Sequence, residues 1–364
     1  MNEPTLVAGP YTHAPVSISR TMLLVIAALV PATAFGLYQF GWPAIYLFIT
    51  TLLAALFAEA ICLRLAGKPI RPFLFDGSAL LTAWLLAMTL PPWAPWWIAV
   101  VGSFFAIIIG KHVFGGIGQN LFNPAMVARV AILISFPYEM TLFIDPVPLF
   151  SVKAPDFIES LSITFLQQAN FDAVSSATPL GHMKTELSRG MDLSLIKDNS
   201  YSLWQMIPGL TSGSFGETSA MLILLGGLFL IYKRIISWHI PFAMLFTLFA
   251  MAAIFHLLDS DHYIDPFVHL MSGGAMLGAF FIATDLVTSP VSLRGQILFG
   301  IGCGFFTFVI RTWAAYPEGV AFAILLMNAC TPLIDHYIKP RIYGRDRKGN
   351  PLNYAEDSVL SGEK

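Results

Sequence analysis

The chain is poor in charge. Only 12% of its 364 residues are Asp, Glu, Lys or Arg, about half the share usual in a soluble domain. With 56% hydrophobic residues and a mean hydropathy of +0.70, that deficit points to an integral membrane protein surrounded by lipid. A net charge of −2 leaves no basic face to release counterions from a phosphate backbone, which excludes nucleic acid as a partner. Cysteine is equally scarce. Cys62, Cys303 and Cys330 lie in apolar runs without a CxxC or Cys/His spacing, so no zinc or iron–sulfur site, and no metal, is expected of this chain. His112, His256 and His269 also lack metal-like partners in the sequence and are read as structural.

What is present is a series of apolar runs: 21–40, 43–63, 73–90, 94–110, 124–137, 218–232, 236–258, 266–284, 295–313 and 318–338. They predict about ten transmembrane helices in an all-α fold. A full crossing needs about 20 residues, so the short runs 124–137 and 218–232 are tilted, extended or broken. "ATA" at 32–34 resembles a signal-peptidase site, but the apolar run continues through Phe40 and the segment is read as retained. The cations orient the bundle. Arg20, Arg64, Lys68, Arg71, Lys111, Lys233, Arg234, Arg294 and the 339–348 cluster all fall on one side if there are ten spans. The short alternate loops 41–42, 91–93, 259–265 and 314–317 lack Lys and Arg. Both termini are therefore expected in the cytoplasm, with 138–217 outside and Arg311 the one cation near an outer span end.

Five helices, an insert and five helices suggest two inverted halves. "GSALLTAWLLAM" (77–88) aligns without gaps on "GGAMLGAFFIAT" (273–284), "FFAIIIGK" (104–111) resembles "FFTFVIR" (305–311), and "NLFNP" (120–124) matches "NACTP" (328–332). The organisation reads as a segment 1–20, a first membrane repeat 21–137, the insert 138–217, a second repeat 218–338 and a tail 339–364. Inverted repeats with interrupted helices commonly hold a ligand at their interface.

Three places offer chemistry. In "GKHVFGGIGQNLFNPA" (110–125) the glycines allow close backbone approach, and Asn120 and Asn123 offer amides suited to a planar polar ring such as a flavin or quinone. Asn123 also reads as a helix N-cap before Pro124. Glu59, inside span two, either binds or relays a coupling cation or pairs with Arg64; Asp76, Asp285 and Asp335, at span ends, read as capping or solvated. In the insert, "DFIESLSITFLQQANFD" (156–172) predicts an amphipathic helix, and "DAVSSATPL" (172–180) reads first as a capped loop whose Pro179 holds Thr178 extended.

That last stretch resembles the Asp-x-x-Ser/Thr-Gly/Ser-Ala-Thr flavinylation motif of the family formed by the D subunit of the Rnf electron transport complex and the B subunit of the sodium-translocating NADH:quinone reductase. "PYTHAPVSISRTML" (10–23) and "GKHVFGGIGQNLFNPAM" (110–126) resemble the same family, and the length favours the Rnf member. The resemblance implies a urea-transporter-like fold in a bacterial inner membrane. It implies FMN joined by a phosphoester to Thr178, with Asp172, Ser175, Ser176 and Ala177 as the motif before it; Ser176 stands where glycine is frequent. It implies a noncovalent riboflavin near Asn120 and Asn123. It also implies a flavin transferase for maturation and partner subunits: a periplasmic flavoprotein and iron–sulfur membrane subunits. The function implied is a translocase subunit coupling ferredoxin and NAD chemistry to cation movement. Attachment calls for an exposed Thr178 on a flexible outer loop. The rival reading is a solute channel of the same fold without a redox role.

Overall fold

In hydrocarbon an unpaired backbone N–H or C=O has no water to turn to, so an apolar chain satisfies its backbone by forming helices. The computed structural model describes residues 17–167, 175–191, 193, 209–216, 219–316 and 318–340; Asp172 and most of both terminal segments lie outside them. Among the described residues β-structure is confined to one antiparallel pair, Phe143–Ile144 with Ser175–Ser176. Among these residues five helical stretches are long and apolar enough to cross a bilayer: Ile18–Leu65, Ile70–Thr89, His239–Leu258, Leu293–Trp313 and Val320–Tyr337. Trp96–His112, Pro124–Ser135, Phe157–Leu166 and Ala220–Tyr232 are shorter apolar helices. The molecule is a mostly helical, multi-pass membrane protein.

Several predicted spans are interrupted. The first two runs form one helical stretch with no loop at 41–42, broken instead at Gly41 (φ 73°, ψ −160°), a conformation open to glycine. A break frees helix carbonyls. Tyr38 O accepts the Leu149 N–H at 2.8 Å and Phe40 O accepts the Trp93 indole N–H at 3.3 Å. The insert docks here. Its expected helix, Phe157–Leu166, receives the Tyr46 hydroxyl on Phe157 O at 3.2 Å and packs Phe157 edge-on against the Trp42 and Tyr46 rings.

Run 73–90 is broken at Gly77 (φ 84°), beyond which Ser78–Thr89 begins. Run 266–284 is broken as well: Pro266–Met271 ends, Gly273 takes φ 65°, and Ala275–Leu277 opens into a π-helical segment Gly278–Ile282. Trp96–Phe104 likewise continues as a π-helix, Phe105–His112. Wide turns of this kind are frequent at functional sites.

The Leu293–Trp313 helix packs on His239–Leu258 through two glycines one turn apart. A Cβ on Gly304 would lie 2.4 Å from Met244 O, and one on Gly300 2.8 Å from Ile240 O. Small residues at this spacing let membrane helices approach closely. Gly304→Ala should therefore cost about 1–3 kcal/mol by overpacking, read as a lower thermal unfolding midpoint in detergent. An unchanged midpoint would show that this pair does not set the helix approach.

Candidate functional site

Three of the sequence's candidate residues line two cavities: Asn120 and Asn123 the first, Thr178 the second. The first lies between the two halves of the chain. Asn123 caps Pro124–Ser135, its Oδ1 accepting the Ala125 N–H at 3.1 Å and the Met126 N–H at 3.4 Å. Pro124 sits where no N–H is needed. The Asn123 Nδ2 donates to Ile282 O at 3.4 Å, and its backbone N–H donates to Asn328 Oδ1 at 3.2 Å. Asn123 thus ties the first half to the second while also capping its own helix. Asn120 donates from Nδ2 to Phe122 O at 3.1 Å; its carbonyl oxygen and second N–H have no such role. Both asparagines line one cavity, whose walls include Leu81, Leu85, Phe280 and Phe281 and whose polar lining includes Ser78, Lys111, Thr284 and Asp285. The loop between the Trp96–His112 helix and Asn120 turns on Gly115, Gly116 and Gly118, all at positive φ.

Glu59 is buried, but Arg64 is not its partner. Arg64 is five residues further along the same helix and so points to another face. The π-helical end of a different helix supplies the partners instead: Lys111 Nζ donates to Glu59 Oε1 at 2.8 Å, and His112 Nε2 lies 2.9 Å from Oε2. Lys111 also donates to Ser78 Oγ at 2.9 Å, and Ser78 donates onward to Asp76 Oδ1 at 2.6 Å. The carboxylates at span ends accept backbone N–H groups: Asp76 that of Ser78 at the start of Ser78–Thr89, Asp285 that of Val287 in a turn, and Asp335 that of Val291 in the loop before Leu293–Trp313. Sequence reasoning passed over Lys111 and His112. The signal was two polar residues closing an apolar run, at the end where the matched segment carries Arg311.

The second cavity holds Thr178. Its backbone is extended (φ −62°, ψ 153°), as Pro179 requires. The consequence is a helix rather than a loop. Thr178 is the N-cap of Pro179–Ser188, its Oγ1 accepting the Gly181 N–H at 3.1 Å. The residue is only 9% exposed, which corrects the expectation of an open hydroxyl on a flexible loop: a capping side chain folds back over its own first turn. Leu180, Thr211, Ser212, Ser272, Gly273 and Glu318 line the cavity with it. Ser175 and Ser176 lie in the strand paired with 143–144, Ala177 O accepts the Ser212 hydroxyl at 2.6 Å, and Asp172 falls outside the described residues.

Lys184 fixes this helix to the membrane part. Its ammonium donates to the carbonyls of Arg311, Ala314 and Tyr316, at 2.8 Å for Arg311 and 3.2 Å for Tyr316. Burial pushes that ammonium below its ordinary range. Arg311 is buried too, donating to His269 O, to Ser272 O at 3.2 Å and to Glu318 Oε1 at 2.7 Å.

The match to known proteins covers both cavities. A model of the NQR2, RnfD, RnfE family matches residues 5–344. The chain belongs to this family. It is similar to the D subunit of the ion-translocating oxidoreductase complex of Halorhodospira halophila, 53% identical over 348 residues that cover 96% of this chain and 98% of the relative. It is similar to the protein of the same name from Stutzerimonas stutzeri, 56% identical over 340 residues covering 93% and 96%, and from Rhodobacter capsulatus, 54% identical over 304 residues covering 84% of each. The resemblance read from the insert motif and the 110–126 loop is borne out over nearly the whole length.

For this family member, the capping role of Asn123 is separable from any ligand role. Asn123→Ala removes the cap and should cost about 1 kcal/mol, whereas Asn120→Ala removes one local bond and should cost less. Thermal unfolding of the detergent-solubilised pair checks the order; equal losses would contradict the cap.

Proposed function

We propose that the chain is the membrane subunit of an ion-translocating ferredoxin:NAD oxidoreductase complex, carrying electrons between a covalent FMN on Thr178 and a riboflavin in the Asn120–Asn123 cavity. Flavins supply the electron chemistry; the chain supplies position and electrostatics. The partners are the other subunits of the Rnf complex, including a periplasmic flavoprotein and iron–sulfur membrane subunits, and a flavin transferase for maturation. The setting is the bacterial inner membrane with both termini cytoplasmic.

The observation that carries the reading is Thr178 at a helix N-cap. A helix N-terminus presents free N–H groups and a positive dipole end, which suits a phosphoryl group. Pro179–Ser188 runs ten residues, and a phosphoester on the Thr178 oxygen would place its oxygens on that terminus. The cavity between the halves fits a planar ring in the same way, with Leu81, Leu85 and two phenylalanines as apolar walls and an amide with unused donor and acceptor capacity at Asn120.

The fold reading is ten spans in two inverted five-helix repeats of urea-transporter type. Opposed chain directions support it. Ser78–Thr89 starts at the asparagine cavity and runs towards the Thr178 side, where Met88 O accepts the Gly216 N–H near Ser212 and Gly213. Its aligned counterpart starts at Gly273, beside Thr178, and runs to Thr284 and Asp285 in the asparagine cavity. The sites therefore share this one element.

Thr178→Asn preserves a capping oxygen but has no hydroxyl to esterify. The complex expressed with its flavin transferase should give a fluorescent band for this subunit on a denaturing gel, and Thr178→Asn should abolish it without loss of folded protein. No band in the wild type, or one that survives the substitution, would leave the channel reading in place. Replacing Asn120 and Asn123 by Leu should lower extractable riboflavin several-fold while the covalent flavin stays; unchanged riboflavin would remove them from that site.

A further inference from the structure

Glu59, Lys111 and His112 form a buried ionic cluster beside the asparagine cavity, and no step of flavin attachment uses it. Glu59 is 2% exposed and Lys111 3%. A buried ammonium is costly unless its charge and its donors are met. Lysine carries three N–H donors. Two are engaged, by Glu59 Oε1 and by Ser78 Oγ. Lys111 and Ser78 both line the cavity, which leaves the third donor for a molecule held there.

We infer that Lys111 is the cation that stabilises the reduced form of the flavin in this cavity, and that Glu59 is its counter-ion rather than a ligand of the transported cation. This rests on the riboflavin reading above. A neutral isoalloxazine that takes up two electrons and one proton carries one net negative charge. A fixed positive charge in a water-poor site favours that form over the neutral oxidised one. Lys111 is the only lysine or arginine among the described residues that line the cavity. The other charged residue there, Asp285, is already engaged by the Val287 N–H at 3.3 Å and the Thr288 hydroxyl at 3.2 Å.

Glu59 suits the counter-ion role and not cation ligation. Each of its oxygens lies within 3 Å of a nitrogen: Lys111 Nζ donates to Oε1 at 2.8 Å, and His112 Nε2 is 2.9 Å from Oε2 without hydrogen-bond geometry. A hard cation needs several oxygen ligands around it, and an ammonium stands where it would have to sit. The assignment makes opposite predictions for the two partners. Loss of Lys111 destabilises the reduced flavin; loss of the Glu59 charge leaves Lys111 less neutralised and stabilises it.

The test is the midpoint potential of the noncovalent flavin, measured by spectroelectrochemical titration of the whole complex purified from membranes. Lys111→Gln should lower the potential, with a tenfold or greater change in the ratio of reduced to oxidised stability, about 30 mV for a two-electron couple. Lys111→Arg should restore most of it, and Glu59→Gln should raise it. A purely structural role would change flavin content or thermal stability without shifts of opposite sign. Should Lys111→Gln retain no flavin, the Glu59→Gln shift decides: upward supports the inference, none or downward overturns it. Unshifted potentials in flavin-loaded variants overturn it too, as does a Glu59→Gln complex whose only change is the cation concentration that half-saturates electron transfer. A wild-type complex without noncovalent flavin would instead overturn the riboflavin reading beneath it, and the inference with it.

Discussion

A helix that stops within the membrane must hand its end groups to the rest of the protein, because hydrocarbon offers neither donor nor acceptor. Among the described residues three helix ends are buried in the protein in a comparable way: Ser78 of Ser78–Thr89, Pro124 of Pro124–Ser135 and Ile282 of the π-helical segment. Their ends are met by side chains. Asp76 accepts from Ser78, Asn123 accepts from Ala125 and Met126, and the same amide donates to Ile282 O. Asn328 accepts from the Asn123 backbone and donates to Thr288 O. Asn123, which meets three of these end groups, also lines the asparagine cavity, so part of the demand for backbone satisfaction is met by a residue of the site.

The same constraint bears on two of the three buried cations among the described residues, Lys111 and Arg311, the third being Arg129. Lys111 and Arg311 close the two matched segments 104–111 and 305–311, and each reaches the start of one of the two opposed helix pieces, Lys111 through Ser78 and Arg311 through Ser272 O. Each has one carboxylate within 3 Å, Glu59 and Glu318. The carboxylates come from unrelated positions in the two halves, Glu59 within a long helix and Glu318 just before Val320–Tyr337. Two independent solutions to one buried charge argue that the cation's position is the feature held in common.

Apolar runs made the helices legible, and the Lys/Arg pattern gave the expected topology. The breaks were harder to read. Gly41, Gly77 and Gly273 look like ordinary small residues in greasy runs, yet each takes a positive φ; conformation at a glycine is set by what packs around it. Asn123 was readable as an N-cap because it stands directly before Pro124. Glu59 was visible as a buried carboxylate, but Arg64, its neighbour in sequence, proved the wrong partner. The true ones come from a separate helix far along the chain, and only the π-helical turn brings two consecutive residues, Lys111 and His112, to one carboxylate. Thr178–Pro179 carried a helix-start signature, an N-cap residue followed by proline. Reading it as a loop weighed composition over order.

That misreading bears on the chemistry. An N-cap hydroxyl and a phosphoryl ester at the same oxygen address the same helix N–H groups. On the proposed reading, Thr178 keeps its helix terminus satisfied before attachment through Oγ1 and after it through phosphoryl oxygens, so flavin can be added without unfolding Pro179–Ser188. The proline at the first turn has no N–H to compete for. Lys184, on the same helix, anchors to carbonyls at the end of Leu293–Trp313, so the position of the Thr178 oxygen is referred to the membrane helices that also carry Arg311. A cofactor fixed there inherits its place from the core.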